Sequence, residues 1–267
     1  MRIAIFGATG RMGTTIARSV QELKDIDISG ALAQPDASLI GVDLGVAASL
    51  PTLDVTITAD ANAALVGADV AIDFTLPAAA QSNISACLKA GVPLVMGTTG
   101  LNDSQQAMLA EAAKEIPVVY GRNMSVGVNV LTEITRLASR YLGSEWDVEI
   151  VEAHHKHKVD APSGTALQLG EAVANERGAD LDDVAVHNRS GRTDARGKGE
   201  IGFSSVRAGN IVGDHSVLFA AETEIVELRH HAQDRSVFAQ GAIRAARWLA
   251  DKPAGLYSMG DVLGFDT

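Results

Sequence analysis

The stretch RIAIFGATGRMG, Arg2 to Gly13, decides the fold. Arg2 to Phe6 is a short apolar run closed by glycine, as a buried strand is. Gly7, Gly10 and Gly13 then fall at G-x-x-G-x-x-G spacing, and Ile16, Val20 and Leu23 follow at helical intervals. A glycine-rich turn between a strand and a helix is the setting of a dinucleotide-binding loop: glycines allow a tight turn and close backbone approach to a pyrophosphate. The helix N-terminus adds free N–H groups and a positive dipole end. The more common fingerprint is G-x-G-x-x-G, so the loop draws part of its weight from this strand–turn–helix setting; a bare glycine turn is the alternative.

Outward from there, Ile26–Ala33, Asp54–Thr58, Ala68–Thr75, Pro93–Gly97 and Ile116–Tyr120 are further apolar runs, most of them separated by alanine-rich helical stretches. Strands alternating with helices predict βαβ units and a parallel sheet. The rhythm changes after Asn123. Ser125 is placed to cap a helix reaching about Leu142, with Val130, Ile134, Leu137 and Tyr141 on one face. Asp147–Ala153, Ile201–Arg207, Asn210–Ala220 and Thr223–His231 then read as strands, the last three joined by short turns. Asp234–Ala250 returns to helix, with Val237, Ile243, Ala246 and Leu249 apolar, and a short closing segment starts at Gly255. The expected fold is therefore α/β: a parallel-sheet domain and a second α+β domain with an open, mixed sheet.

The chain has 267 residues, 46% hydrophobic and 4% aromatic, with a formal net charge of −11. That balance argues against nucleic acid or an anionic membrane as partner. Cys87 is the only cysteine, so neither a disulfide framework nor a cysteine zinc site is available. No apolar run is long enough to span a bilayer, and the N-terminus does not read as a signal peptide. The expectation is a soluble cytoplasmic protein.

In an open parallel sheet, ligands bind at the carboxyl ends of the strands. Those ends read Gly7-Ala8, Phe74-Thr75, Gly97-Thr98-Thr99-Gly100 and Arg122-Asn123, mostly small or hydroxylated residues. An acid for the ribose is expected about 20 residues past the glycine loop. Here Ala33-Gln34 stands at the strand end, with neither an acid nor an arginine, and the choice between NAD and NADP stays open.

A second motif is EAHHKHKVDAPSGTAL, Glu152 to Leu167, where three histidines and two lysines occupy His154 to Lys158. His155 and His157 would share a face if the strand continued, but the adjacent lysines oppose a bound dication. A solvated strand end is the plain alternative. The arrangement best fits a small polyanion with proton transfer: lysines supply charge, histidine a proton near neutral pH, and Pro162-Ser163-Gly164-Thr165 a helix N-terminus for a carboxylate. Gly191–Gly199, with Arg192, Arg196 and Lys198, reads as a surface loop, a lid being the alternative. The His230-His231 doublet reads as structural, since strand alternation turns only one imidazole inward.

The motifs GATGRMG, AIDFT, GTTG, RNMSVGVN, VEAHHKHKVDAPSGTAL, IGFSSVRAGNIVGDH and GLYSMGDVLGF together run along essentially the whole chain. In them the sequence resembles the dihydrodipicolinate reductase family of lysine and diaminopimelate biosynthesis. The resemblance implies a Rossmann domain over 1–124 and 235–267, completed by the C-terminal helix, an inserted sheet domain over 125–234 that builds a homotetramer, and a hinge between them. It implies that Gly7, Ala8, Thr9, Gly10, Arg11 and Met12 hold the pyrophosphate of NADH or NADPH. Ala33 and Gln34 would stand beside the ribose. Gly97, Thr98, Thr99, Gly121, Arg122, Asn123 and Met124 would line the nicotinamide side. His154 would be the proton donor and Lys158 a second essential cation; His155, Ser163, Gly164 and Thr165 would hold the carboxylates of a cyclic imine substrate. No metal is implied. Three positions depart from the family pattern: Ala33-Gln34 where some members have Glu-Arg, Lys156 where arginine is expected, and Arg122 where a small residue or proline is usual. The rival readings are a two-domain dehydrogenase acting on a semialdehyde or sugar, and a non-catalytic cofactor sensor.

Overall fold

The computed structural model describes residues 1–187, 189–192 and 194–265. Along the chain run β1 (Arg2–Phe6), α1 (Arg11–Gln21), β2 (Asp27–Leu32), α2 (Leu44–Ala47), β3 (Ile57–Thr58), α3 (Ala61–Ala64), β4 (Val70–Asp73) and α4 (Pro77–Ala90). Next come β5 (Leu94–Met96), α5 (Asp103–Ala112), β6 (Pro117–Tyr120), α6 (Val126–Leu142), β7 (Asp147–His154), α7 (Gly164–Glu176), α8 (Leu181–Val184) and β8 (Ala185–Val186). The chain closes with β9 (Ile201–Arg207), β10 (Gly213–Ala220), β11 (Ile225–Ala232), α9 (Ser236–Leu249), β12 (Gly255–Tyr257) and α10 (Met259–Leu263). Two compact units result, Met1–Val126 with Arg235–Thr267, and Gly127–Asp234.

The first unit is a seven-stranded sheet in the order β12-β6-β5-β4-β1-β2-β3 with every pairing parallel. Both faces are covered, which is why the strands are apolar throughout rather than alternating. Ile3 and Ile5 of β1 point to one face, against Ile16 and Val20 of α1 and Ile243 and Leu249 of α9. Ala4 and Phe6 point to the other, against Ile84 of α4 and Leu109 of α5. The order is the Rossmann arrangement extended by β12. It reverses between β1 and β4, and a ligand crevice forms at such a switch point.

The second unit is a five-stranded mixed sheet, order β11-β10-β7-β9-β8. β10 runs antiparallel to both β7 and β11, while β9 runs parallel to β7 and β8. One face carries Val148, Ile150, Phe203, Val217 and Phe219, packed on Leu169 and Val173 of α7. Each such side chain contributes about 1.5–3 kcal/mol by leaving water.

Two sequence expectations need correction. The run Asp54–Thr58 yields only the two residues of β3, because Asp54 sits at φ 56° and turns the chain. The Asp43 carboxylate takes the N–H groups of Leu53 and Val55, both at 3.0 Å, so a sheet ladder does not reach them. The buried face of α6 is Val128, Leu131, Thr135 and Ser139, not the Val130–Tyr141 row, in which Ile134 is 44% and Tyr141 80% exposed. Small hydroxyl residues sit where α6 comes close to α7, with Ser139 Oγ 3.4 Å from the Val173 carbonyl, and apolar periodicity alone picks the wrong side. The closing segment holds a strand, β12, that pairs with β6 over three residues.

Gly30 of β2 is the tightest point between sheet and α3: a Cβ there would lie 1.8 Å from the Ala64 carbonyl oxygen. The obstacle is backbone, so Gly30→Ala must push the α3 turn outward. We expect a loss of about 1–3 kcal/mol, read as a lower urea midpoint with an unchanged m-value.

Candidate active site

The dinucleotide side is built by backbone packing at the switch point. β1 ends at Phe6, and Gly7 turns the chain at φ 81°; a Cβ there would lie 2.8 Å from the Phe74 carbonyl oxygen after β4. A Cβ on Gly13 would lie 2.3 Å from the Gly7 carbonyl oxygen. Glycine is thus required at both positions by the fold. Gly10 is different. It is the N-cap of α1 and supplies no side-chain cap, and among the described residues no side chain takes the first-turn N–H groups that helix geometry leaves unpaired. A pyrophosphate is the kind of group those donors and the helix dipole accept.

Beside the loop lies a cavity of about 430 Å³, lined by Gly7, Thr9, Gly10, Ala33, Gln34, Phe74, Thr75 and Asn83 among others. The structure therefore brings together five of the expected cofactor residues. Ala8, Arg11 and Met12 belong to the same loop and first helical turn but do not line the cavity, nor do Gly97, Thr98, Thr99 and Gly121–Met124. These last stand at the ends of the neighbouring strands β5 and β6. Met124 is 1% exposed and packs into the core, so only its backbone is available to a ligand. Arg122 is exposed.

The sequence reading passed over Asp73, the fully buried last residue of β4. Its Oδ1 accepts hydrogen bonds from the Thr75 backbone N–H (2.8 Å), Thr75 Oγ1 (2.7 Å) and Thr98 Oγ1 (3.0 Å), and Oδ2 from Asn83 Nδ2 (2.8 Å). Burial pushes its pKa up, against the pull of those donors. The carboxylate knits the ends of β4 and β5 to α4 beneath the cavity. It also uses the Thr98 hydroxyl, so at Gly97-Thr98-Thr99 only Thr99 presents its side chain outward. A lone acid inside the apolar run AIDFT was the available signal.

In the second unit, β7 ends at His154, where the histidine cluster begins. Because the strand stops there, His155 and His157 do not share a strand face; their ring centroids are 6.3 Å apart. Lys156 and His157 are exposed, and Lys158 is half-buried with Nζ 2.8 Å from Asp160 Oδ2. Ser163 caps α7: its Oγ accepts from the Ala166 N–H at 3.2 Å and lies 3.1 Å from His215 Nε2. Being 2% exposed, that hydroxyl serves the helix start rather than an open pocket. Gly164, the first residue of α7, opens to free space, since a Cβ there would meet nothing within 4 Å. Thr165, next in sequence, is half-buried, as is His155 after the end of β7.

His154 is 9% exposed and faces inward with Glu152, two residues back on the same strand. Its Nδ1 lies 2.5 Å from Glu152 Oε2. Arg207 of β9 clamps the same carboxylate, with Nη1 to Oε2 at 2.8 Å and Nη2 to Oε1 at 2.6 Å. Burial works to raise the Glu152 pKa, but hydrogen bonds from His154, Arg207 and Ser205 outweigh it and hold the carboxyl down at about 2. The ring of His215 lies 5.1 Å from that of His154, and burial lowers its pKa to about 3, leaving it uncharged at neutral pH. Glu152, Arg207 and His215 had no role in the sequence reading. Arg207 and His215 come from strands paired with β7 over long sequence separations, and nothing local announces that pairing.

The loop at Gly191–Gly199 holds its arginine against the sheet: Arg196 pairs with Glu149 and Asp147, the latter at 2.9 Å, and Lys198 with Glu145 at 2.8 Å. Thr193 of that loop lies outside the described residues. The His230-His231 doublet splits across the sheet, with His231 outward on Asp214 and His230 half-buried.

The N-terminal family model of dihydrodipicolinate reductase matches residues 1–124, and the C-terminal model matches 127–263. The chain belongs to the dihydrodipicolinate reductase family. It is 50% identical over 263 residues to the 4-hydroxy-tetrahydrodipicolinate reductase of Pseudomonas fluorescens (strain SBW25), covering 98% of each chain. Among solved structures it is similar to the dipicolinate-bound dihydrodipicolinate reductase from Paenisporosarcina sp. TG-14, with 25% identity, a TM-score of 0.76 and 97% of each chain covered. The amine dehydrogenase from Mycobacterium smegmatis shares the fold alone, at 15% identity and a TM-score of 0.67, over 97% of this chain and 95% of that one. As a member of the dihydrodipicolinate reductase family the chain is an oxidoreductase, and its N-terminal unit is a nucleotide-binding domain of the kind that takes a pyridine nucleotide.

Proposed function

We propose that this chain reduces 4-hydroxy-tetrahydrodipicolinate, by way of dihydrodipicolinate, to tetrahydrodipicolinate in the diaminopimelate route to lysine, with NADH or NADPH as reductant. The observation that carries the reading is the buried Glu152–His154 pair at the end of β7, followed directly by the Lys158 cation and the start of α7. The first unit, 1–126 with 235–267, is assigned to the coenzyme, and the second, 127–234, to substrate and to oligomer assembly.

A reduced nicotinamide, when bound, would supply a hydride for the ring carbon conjugated to the imine once the hydroxyl is lost. Gly7, Ala8, Thr9, Gly10, Arg11 and Met12 hold the pyrophosphate; Ala33 and Gln34 stand at the ribose; Gly97, Thr98, Thr99 and Gly121 to Met124 serve the nicotinamide side. Lys158 and His155, with Gly164 and Thr165 at the start of α7, bind the two carboxylates of the substrate. Ser163 acts through the cap it forms. His154 gives a proton from Nε2 to the enamine carbon. A new C–H bond forms as the Nε2–H bond breaks, and the ring is left neutral with its Nδ1 proton directed at Glu152.

The decisive experiment follows coenzyme oxidation at 340 nm, separately for NADH and NADPH, with substrate formed in place from pyruvate and aspartate semialdehyde by the preceding synthase. Rapid synthase-dependent oxidation is expected, and the ratio of the two rates reads out what Ala33 and Gln34 select. Coenzyme binding without turnover would instead support the sensor reading.

The proposal includes a homotetramer. The outer face of the five-stranded sheet, with Val151 36%, Val206 46% and Ile225 64% exposed, supports it, and sedimentation should give a mass of four chains. A cytoplasmic location accompanies the reading, in keeping with a free and buried Cys87.

A further inference from the structure

We propose that Glu152, clamped by Arg207, is a positioning residue: it fixes the orientation and proton placement of His154 and ties the start of α7 to the same point. The proposal rests on the reading of His154 as proton donor.

Strand alternation places Glu152 and His154 on the inner face of β7, and parallel pairing sets Arg207 opposite His154. Antiparallel pairing sets His215 opposite Glu152. The Glu152 side chain is 1% exposed and its two oxygens are fully engaged. Oε2 takes His154 Nδ1 at 2.5 Å and Arg207 Nη1 at 2.8 Å; Oε1 takes Arg207 Nη2 at 2.6 Å and the Ser163 backbone N–H at 3.3 Å. Arg207 Nη2 also donates to the Asp160 carbonyl at 2.6 Å. One carboxylate therefore holds the donor imidazole, and through Ser163 and Asp160 it also holds the turn that leads into Gly164 and Thr165.

Stability alone does not explain such a group. A buried ion pair returns little net free energy once desolvation is counted, and apolar residues of similar volume do as well or better. What the carboxylate adds is proton bookkeeping. An ionised acceptor at Nδ1 keeps a proton there, so the one that leaves must leave from Nε2. After transfer, the neutral ring is already in the tautomer Glu152 accepts, and the carboxylate never changes its own protonation. The surroundings of Nε2 agree. No described residue hydrogen-bonds it, and the nearest strand presents Gly213, where an added Cβ would lie only 3.1 Å from Nε2. The charged and titratable groups around His154 are Glu152 on its own strand, Arg207 on β9, His215 on β10 and the Lys158–Asp160 pair in the following turn. Among them Glu152 is the group that accepts from the ring.

The test compares Glu152→Gln and Glu152→Asp with His154→Gln in the full chain, reading kcat, KM, coenzyme affinity and affinity for pyridine-2,6-dicarboxylate. It adds long-range proton–nitrogen NMR of the histidine rings in the wild type and in Glu152→Gln. Glutamine is isosteric but has one acceptor oxygen: set where Oε1 stands, it keeps the Arg207 Nη2 and Ser163 N–H contacts and turns its NH2 group, a donor, on His154 Nδ1. We expect kcat to fall by about 10²-fold, with KM and inhibitor affinity within a few-fold, partial recovery in Glu152→Asp, and movement of the neutral-ring proton from Nδ1 to Nε2. Glu152→Gln turning over like wild type beside an inactive His154→Gln would overturn this proposal and leave the donor reading standing. An active His154→Gln would overturn the donor reading itself. Should Glu152→Gln not fold, the wild-type spectrum decides: a neutral His154 ring lacking a proton on Nδ1 refutes the positioning role.

Discussion

His154→Gln is expected to lower kcat by about 10²- to 10⁴-fold, the usual worth of a positioned general acid, while leaving the dissociation constants of NADH and NADPH within about twofold. Glutamine approximates the reach of imidazole and can still meet Glu152, so the pocket should keep its shape. It cannot release a proton near neutral pH. The coenzyme arm of the prediction follows from chain position: the glycine loop, Ala33 and Gln34 belong to the first unit, and His154 ends β7 in the second. Steady-state rates with saturating coenzyme, and fluorescence titration of each coenzyme, check both arms. A collapse of coenzyme affinity together with rate would mean that the histidine cluster had been assigned to the wrong ligand.

Lys158→Ala is expected to act on substrate as well as on rate. A hydrogen bond to a charged group is worth about 1.5–3 kcal/mol, so kcat/KM should fall by at least about 10-fold, approaching 10²-fold if the ammonium meets a carboxylate directly. Affinity for pyridine-2,6-dicarboxylate should fall in parallel, which separates Lys158 from Glu152. The cluster contains its own control. Lys156 is exposed, and Lys156→Ala should change kcat/KM by less than about threefold, as isolated surface charges do. The Asp160 carboxylate, 2.8 Å from Lys158 Nζ, is half exposed, so removing its partner should not unfold the turn. Burial tends to raise the pKa of Asp160, but Lys158 and Arg207 hold it below the ordinary carboxylate range. Asp160 therefore stays ionised near neutral pH and keeps Lys158 directed until an anion competes for it.

Much of this was legible before any coordinates. The strand–glycine–helix opening and the alternation of apolar runs predicted the parallel sheet, because a strand covered on both faces must be apolar at every position. The partly antiparallel sheet of the second unit was visible in three strands joined by short turns without intervening helices. The histidine cluster marked itself by composition. Where the reading failed, the cause was specific. Asp54–Thr58 looked like a strand, yet Asp54 turns the chain at φ 56° and the Asp43 carboxylate captures the Val55 N–H. On α6 both faces carry apolar residues, and which one is buried depends on close packing at Thr135 and Ser139.

By itself, then, the sequence determined the class of fold, the glycine-rich loop between β1 and α1 and the segment that carries the clustered histidines and lysines, since each is written in contiguous residues with a local physical requirement. Tertiary structure alone decided who serves that chemistry. Asp73 gathers Thr75, Asn83 and Thr98 from three elements. Arg207 reaches Glu152, and the His215 ring reaches that of His154, across strand pairings of more than fifty residues' separation. Such partners meet through sheet register, and register is set by burying one face of the whole sheet. No local stretch of sequence contains it.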